Sequence, residues 1–160
     1  MRGGVLALAA LSFVAAQPAQ AACIDSPVAS AARLHEFETM MLVVSLRCSR
    51  VGVDMRGNYD GLVASYRDHF ESAATKLRVF FSALDGARKG SAYDRYTTQL
   101  ANKYGGGSTS TENCHMMDGL TTEIVKARDG GPMLMAVANA MIQRSALETA
   151  TCTTGVALRP

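Results

Sequence analysis

Residues 58–86 read NYDGLVASYRDHFESAATKLRVFFSALDG. Tyr59, Leu62, Val63, Tyr66, Phe70, Ala73, Leu77, Phe80, Phe81 and Leu84 recur at three- and four-residue steps, which places them on one apolar face of an α-helix. Asn58 suits an N-cap, and Asp85-Gly86 supplies a stop. The stretch predicts a single amphipathic helix from Asn58 to Asp85. No other part of the chain is so clearly periodic.

The same period continues on both sides. Upstream, Leu34, Phe37, Met41, Val44 and Cys48 share a face behind Asp25-Ser26-Pro27, where Ser26 can cap and Pro27 suits the first helical position. The run MMLVVSL over residues 40–46 is apolar almost all round, which predicts the most buried helix of the fold. Arg47 and Arg50 complement the dipole at its end. Downstream, Ser91 opens a third helix with Tyr93, Tyr96, Leu100 and Tyr104 inward, closed by Gly105-Gly106-Gly107.

Thr109, with Glu112 three residues on, fits a capping box for a fourth helix that carries Met117, Leu120, Ile124 and Val125. Asp129 to Pro132 stops it, and Pro132 starts a fifth with Leu134, Val137, Met141 and Leu147. The tail from Thr151 reads as irregular. No alternating β-branched run is long enough for a strand. The expectation is an all-α fold, a disulfide-stapled antiparallel bundle of four to five helices.

The first residues, MRGGVLALAALSFVAAQPAQAAC, combine one basic residue, an apolar run from Val5 to Ala16 and an Ala19-Gln20-Ala21 site. That pattern predicts a signal peptide over residues 1–21, cleaved after Ala21, and a single helical domain over residues 22–160. The apolar run falls short of the roughly 20 residues needed to cross a bilayer, and no other segment qualifies. Acylation of Cys23 is disfavoured, because Gln20 stands where a branched aliphatic residue belongs. A bacterial periplasmic or secreted location follows.

Without Arg2, the 16 basic residues become 15, against 14 acidic ones. This near balance offers no electrostatic footprint for nucleic acid or an anionic membrane.

Four cysteines, Cys23, Cys48, Cys114 and Cys152, give an even count in an oxidising compartment and hence two expected disulfides. In an up-down bundle the end of the first helix and the start of the fourth share one end. Of the three possible connectivities, the expectation is Cys48 with Cys114, which would leave Cys23 with Cys152.

Residues 112–117 read ENCHMM and bring three soft-metal ligand types together. On a helix, Cys114 and Met117 share a face while His115 and Met116 point elsewhere, and His115 has only Gly119 at i+4. A bridged Cys114, a core Met117 and a solvated His115 are expected, with no metal. The spacing C-x-x-C-H for a c-type haem is missing. Met is also a common gap filler in helical cores.

Folding the first two helices together places His35 near His69 and Glu71, with Glu38 and Asp68 nearby, but the Glu-x-x-His signature of bundle metal sites is absent. His35 lies off the apolar stripe and reads as a surface residue. Glu36 and Glu38, two apart on a helix, face apart. No G-x-S-x-G elbow occurs, and the Gly105–Gly107 run lacks the Lys of a phosphate loop. No catalytic, cofactor-binding or metal residue is assigned.

The sequence thus favours a non-catalytic binding or structural accessory module of the bacterial envelope, with a protein or cell-envelope partner. Its candidate contact loop is Gly105, Gly106, Gly107, Ser108 and Thr109, a flexible segment on a rigid scaffold. The alternative is a small-ligand, haem or copper carrier, its ligand held between helices near the Met and Tyr residues.

Overall fold

The computed structural model describes residues 24–85, 90–127 and 130–153. The expected signal peptide over residues 1–21 and the Cys23 partner of the second disulfide lie outside the described residues. Among the described residues seven helices follow one another: α1 (Ser26–Arg50), α2 (Arg56–Ser65), α3 (Arg67–Asp85), α4 (Ser91–Gly105), α5 (Thr111–Ala127), α6 (Pro132–Met141) and α7 (Ala146–Thr153). No strand occurs among the described residues, and no described helix is long and apolar enough to cross a membrane.

The start of α1 differs by one residue from expectation. Asp25, not Ser26, caps it: its backbone is extended and its carboxylate accepts from the Val28 amide at 2.8 Å. At the far end the Val53 amide reaches the Cys48 carbonyl at 3.0 Å and the Gly52 amide the Ser49 carbonyl at 3.2 Å. This Schellman closure needs the left-handed φ of +84° at Gly52. Val53, just beyond, is buried over Cys48.

Helix α1 is the axis of the molecule and packs against each of the other six helices. Its residues buried on every side are not the expected MMLVVSL run. Leu42 and Leu46 are exposed, while Ala31, Ala32, Leu34, His35, Glu36 and Phe37 are buried. Two charged-type side chains thus enter the core, because α4 and α7 bring polar partners to meet them.

The continuous helix expected over residues 58–85 is broken. Tyr66 leaves helical geometry at φ −123° and ψ 27°, and its hydroxyl donates to the Ile124 carbonyl of α5 at 2.8 Å. Leu62, Tyr66, Phe70, Ala73, Leu77 and Phe81 stay buried across the break. Periodicity therefore cannot reveal it. Leu84, expected inward, is exposed.

Asn58 is not a cap either. The Arg56 amide bonds the Asp54 carboxylate at 2.9 Å, and Asn58 Nδ2 instead donates to Asp118 of α5 at 2.7 Å. Across residues 86–89 the Asp85 carboxylate accepts from the Ala92 amide at 3.1 Å, which joins α3 to α4.

The fifth expected helix is also two. Ser145 Oγ accepts from the Glu148 amide at 3.1 Å while the Glu148 carboxylate accepts from the Ser145 amide at 2.8 Å. This reciprocal capping box starts α7 anew after Ile142 and carries it to Thr153, through the tail expected to be irregular. Gly131 precedes α6 at φ +118°, and a Cβ there would lie 2.3 Å from His69 Nε2. The left-handed backbone favours glycine at that position, and a larger residue would also have to displace the His69 ring.

Candidate binding groove and buried carboxylate layer

The loop expected to be flexible is held down. Arg47, at the end of α1, donates from Nη1 to the Tyr104 carbonyl at 2.9 Å, from Nη2 to the Ser108 carbonyl at 2.7 Å and from Nε to Thr109 Oγ1 at 2.9 Å. A planar guanidinium with donors in a fixed fork is suited to gripping a turn of backbone in this way. Gly106 is extended and Gly107 takes a φ of +91°, the turn that brings Ser108 over the arginine.

Helix α5, expected as the fourth, is capped by Ser110, not by the Thr109–Glu112 box. Ser110 Oγ accepts from the Asn113 amide at 3.2 Å, since Thr109 is engaged by Arg47. Gly105, Gly106, Gly107, Ser108 and Thr109 thus form an ordered rim.

Under that rim lies a groove of about 320 Å³. Met40 and Val44 of α1, Met116 and Met117 of α5, and Met141 of α6 line it, with Arg47, Tyr104, Ser108, Thr109 and Asn113 as its polar edge. Its floor is the Cys48–Cys114 disulfide, with Cα atoms 5.6 Å apart and both cysteines 1% exposed. The expected pairing of these two is found. Cys152 falls within α7, but the Cys23–Cys152 bridge lies outside the described residues.

The ENCHMM stretch resolves accordingly. Cys114 is bridged, His115 is exposed and Met117 is half-buried. Met116, expected to face elsewhere, also reaches the groove while remaining 63% exposed. The helical wheel separates Met116 from the Cys114–Met117 face, but it could not show that a groove between α1, α5 and α6 takes in both methionines. No group of three or more His, Cys, Asp or Glu able to hold a metal occurs among the described residues.

His35 is not on the surface. It is 9% exposed, packs against the rings of Tyr93 and Tyr96, and has Nε2 3.5 Å from the Tyr93 hydroxyl and Nδ1 3.6 Å from a Glu38 oxygen. His69 sits elsewhere, edge-on to Tyr66 and against Gly131, so His35 and His69 are not brought together. Burial pushes the Tyr93 hydroxyl up, and it raises Tyr96 further.

The sequence reading missed the role of Glu36 altogether. Its carboxylate is fully buried and accepts from Lys103 Nζ at 2.7 Å, the Tyr104 hydroxyl at 2.7 Å and the Ala146 amide at 2.6 Å. One side chain on α1 therefore ties α4 to the first turn of α7, where an anion also meets the positive helix end. Burial and the bond to Glu36 raise the Tyr104 hydroxyl strongly.

One turn earlier Arg33 grips Glu148 through both carboxylate oxygens. Burial alone would push the Glu148 carboxyl up, but the bonds from Arg33 and Ser145 outweigh it and hold the carboxyl below the usual range. The S-x-x-E at residues 145–148 was the one available signal for this layer. Tyr104 joins the two regions: its hydroxyl belongs to the Glu36 layer, its carbonyl to the Arg47 clamp and its ring to the groove.

No known protein family, curated protein or solved structure matches the chain.

Proposed function

We propose that this chain is an exported, non-catalytic binding or structural accessory module of the bacterial cell envelope, acting as a disulfide-stapled antiparallel bundle. It is made with a signal peptide cleaved after Ala21 and held in an oxidising compartment. The methionine-lined groove beneath the Gly105–Thr109 rim carries this reading. Met side chains are flexible and polarisable, so a cluster of them fits apolar partners of varied shape. The occupant is an apolar side chain or short apolar segment of a protein partner, with its backbone against Ser108, Thr109 and Asn113. Arg47 supports this use, because it presents the rim already ordered and spares binding the cost of ordering a loop. The Cys48–Cys114 bridge is in keeping with an oxidising compartment.

Photocrosslinking in the producing cell tests the reading. A crosslinking residue at Met116 should capture one reproducible protein, and one at Val79, exposed on α3 away from the groove, should not. Equal capture at both positions, or none at Met116, would sink it.

A second reading, a small-ligand, haem or copper carrier, is favoured by a single observation. The groove brings Tyr104 and four methionines to one cavity, near the lower size limit of about 300 Å³ for ligand pockets. Metal analysis and an absorption spectrum of protein isolated from the periplasm separate the two readings. A metal-loaded or coloured sample supports the carrier, and a colourless metal-free one supports the partner module.

A further inference from the structure

We infer that Met116 and Met141 form an oxidative modification site, and that their conversion to sulfoxides closes the groove to apolar ligands. The second half of this inference rests on the groove being a binding site, while the first half stands without it. Of the methionines lining the groove, Met116 is 63% and Met141 38% exposed, whereas Met40 is 8% exposed. Met41 and Met55, outside the groove, are fully buried. Met133 is 40% exposed but does not line the groove, so it is an internal control.

The oxidant is hydrogen peroxide or hypochlorous acid. With peroxide, the thioether sulfur attacks one oxygen, an S–O bond forms and the O–O bond breaks. Sulfur loses two electrons, and the remaining oxygen leaves as water after taking up protons. The product replaces a soft apolar side chain by a polar, chiral one. Two such groups at the mouth of an apolar groove must be desolvated when an apolar ligand enters. Three of the five Arg47 N–H donors already serve the loop, and a sulfoxide desolvated without a full set of partners costs free energy.

The test treats the folded protein with graded peroxide, maps oxygen addition by peptide mass spectrometry and follows binding of the apolar dye anilinonaphthalene sulfonate. Met116, Met141 and Met133 should oxidise well before Met40, Met41 and Met55, with dye affinity falling about tenfold in step with Met116 and Met141. The M116L/M141L double variant keeps an apolar mouth without oxidisable sulfur. Whatever affinity it starts with, it should keep that affinity under peroxide, and M133L, outside the groove, should bind dye and lose affinity as the parent does. Oxidation of Met40 as early as Met116 overturns the site. A parent that keeps its affinity once Met116 and Met141 are oxidised, or an equal loss in the double variant, overturns closure by those two residues. An untreated parent that binds no dye also defeats closure and the proposed groove function with it, while the oxidation map still decides the modification site.

Discussion

Replacing Glu36 by alanine removes the acceptor shared by three donors from two helices. The Ala146 amide and the Tyr104 hydroxyl lie inside the packed layer around a carboxylate of zero exposure. Leaving either without a partner costs about 1–3 kcal/mol. Lys103 is different: its side chain is 49% exposed, so its ammonium turns into water and adds at most about 1 kcal/mol. The expected loss is about 4 kcal/mol, a large part of the roughly 5–15 kcal/mol that separates folded from unfolded domains.

Urea unfolding followed by circular dichroism, extrapolated to water, measures it. Tyr104→Phe should cost about 1 kcal/mol, and Lys103→Ala no more than that. The reasoning fails if Lys103→Ala costs as much as Glu36→Ala, since the energy would then reside in the ion pair. It also fails if Glu36→Ala costs less than about 1 kcal/mol.

Three further outcomes are expected. The Cys48–Cys114 bridge spans a sequence separation of 66, and closing a loop of that length removes unfolded-chain entropy worth about 4 kcal/mol; a C48S/C114S variant should lose that much in the same urea assay. The depressed Glu148 carboxyl contributes stability above its unfolded value of 4.5 that disappears as pH falls through the lower folded value. Acid unfolding should therefore steepen below pH 4.5, and Glu148→Gln should flatten that limb. Arg47→Ala should release the amides of residues 105–110 to rapid hydrogen exchange while those of Phe37 and Leu77 stay protected, because three loop contacts converge on one guanidinium.

What the sequence disclosed depended on the kind of signal. The helical class, the α4 face with Tyr96 and Leu100, and the Cys48–Cys114 pairing were all legible, because each rests on period or on the order of elements along the chain. The two breaks were not legible from period. At Tyr66 the apolar face continues through the interruption, and the bond that Tyr66 makes there is to a carbonyl 58 residues away. At Ser145 the capping box was present in the sequence but lay inside what resembled a continuing apolar face.

The groove was half legible. Its loop and ENCHMM stand out in the sequence, but their meeting with Met40 and Met141 depends on how α1 and α6 lie. His35 and Glu36 show the limit most plainly. A polar residue on a helix reads as solvated unless its partner is known, and Tyr93, Lys103 and Ala146 are far away along the chain.

Because α1 touches every other helix, the order of synthesis has an unusual bearing on this protein. The first described helix to leave the ribosome is the one that all the others need, and the last, α7, supplies the amide that meets Glu36 and the carboxylate that meets Arg33. Until residue 148 has emerged, Arg33 lacks the carboxylate it grips, and Glu36 lacks the Ala146 amide and has only Lys103 and Tyr104 to meet it. The polar layer that joins α1, α4 and α7 is therefore complete only when α7, the last described helix, is present.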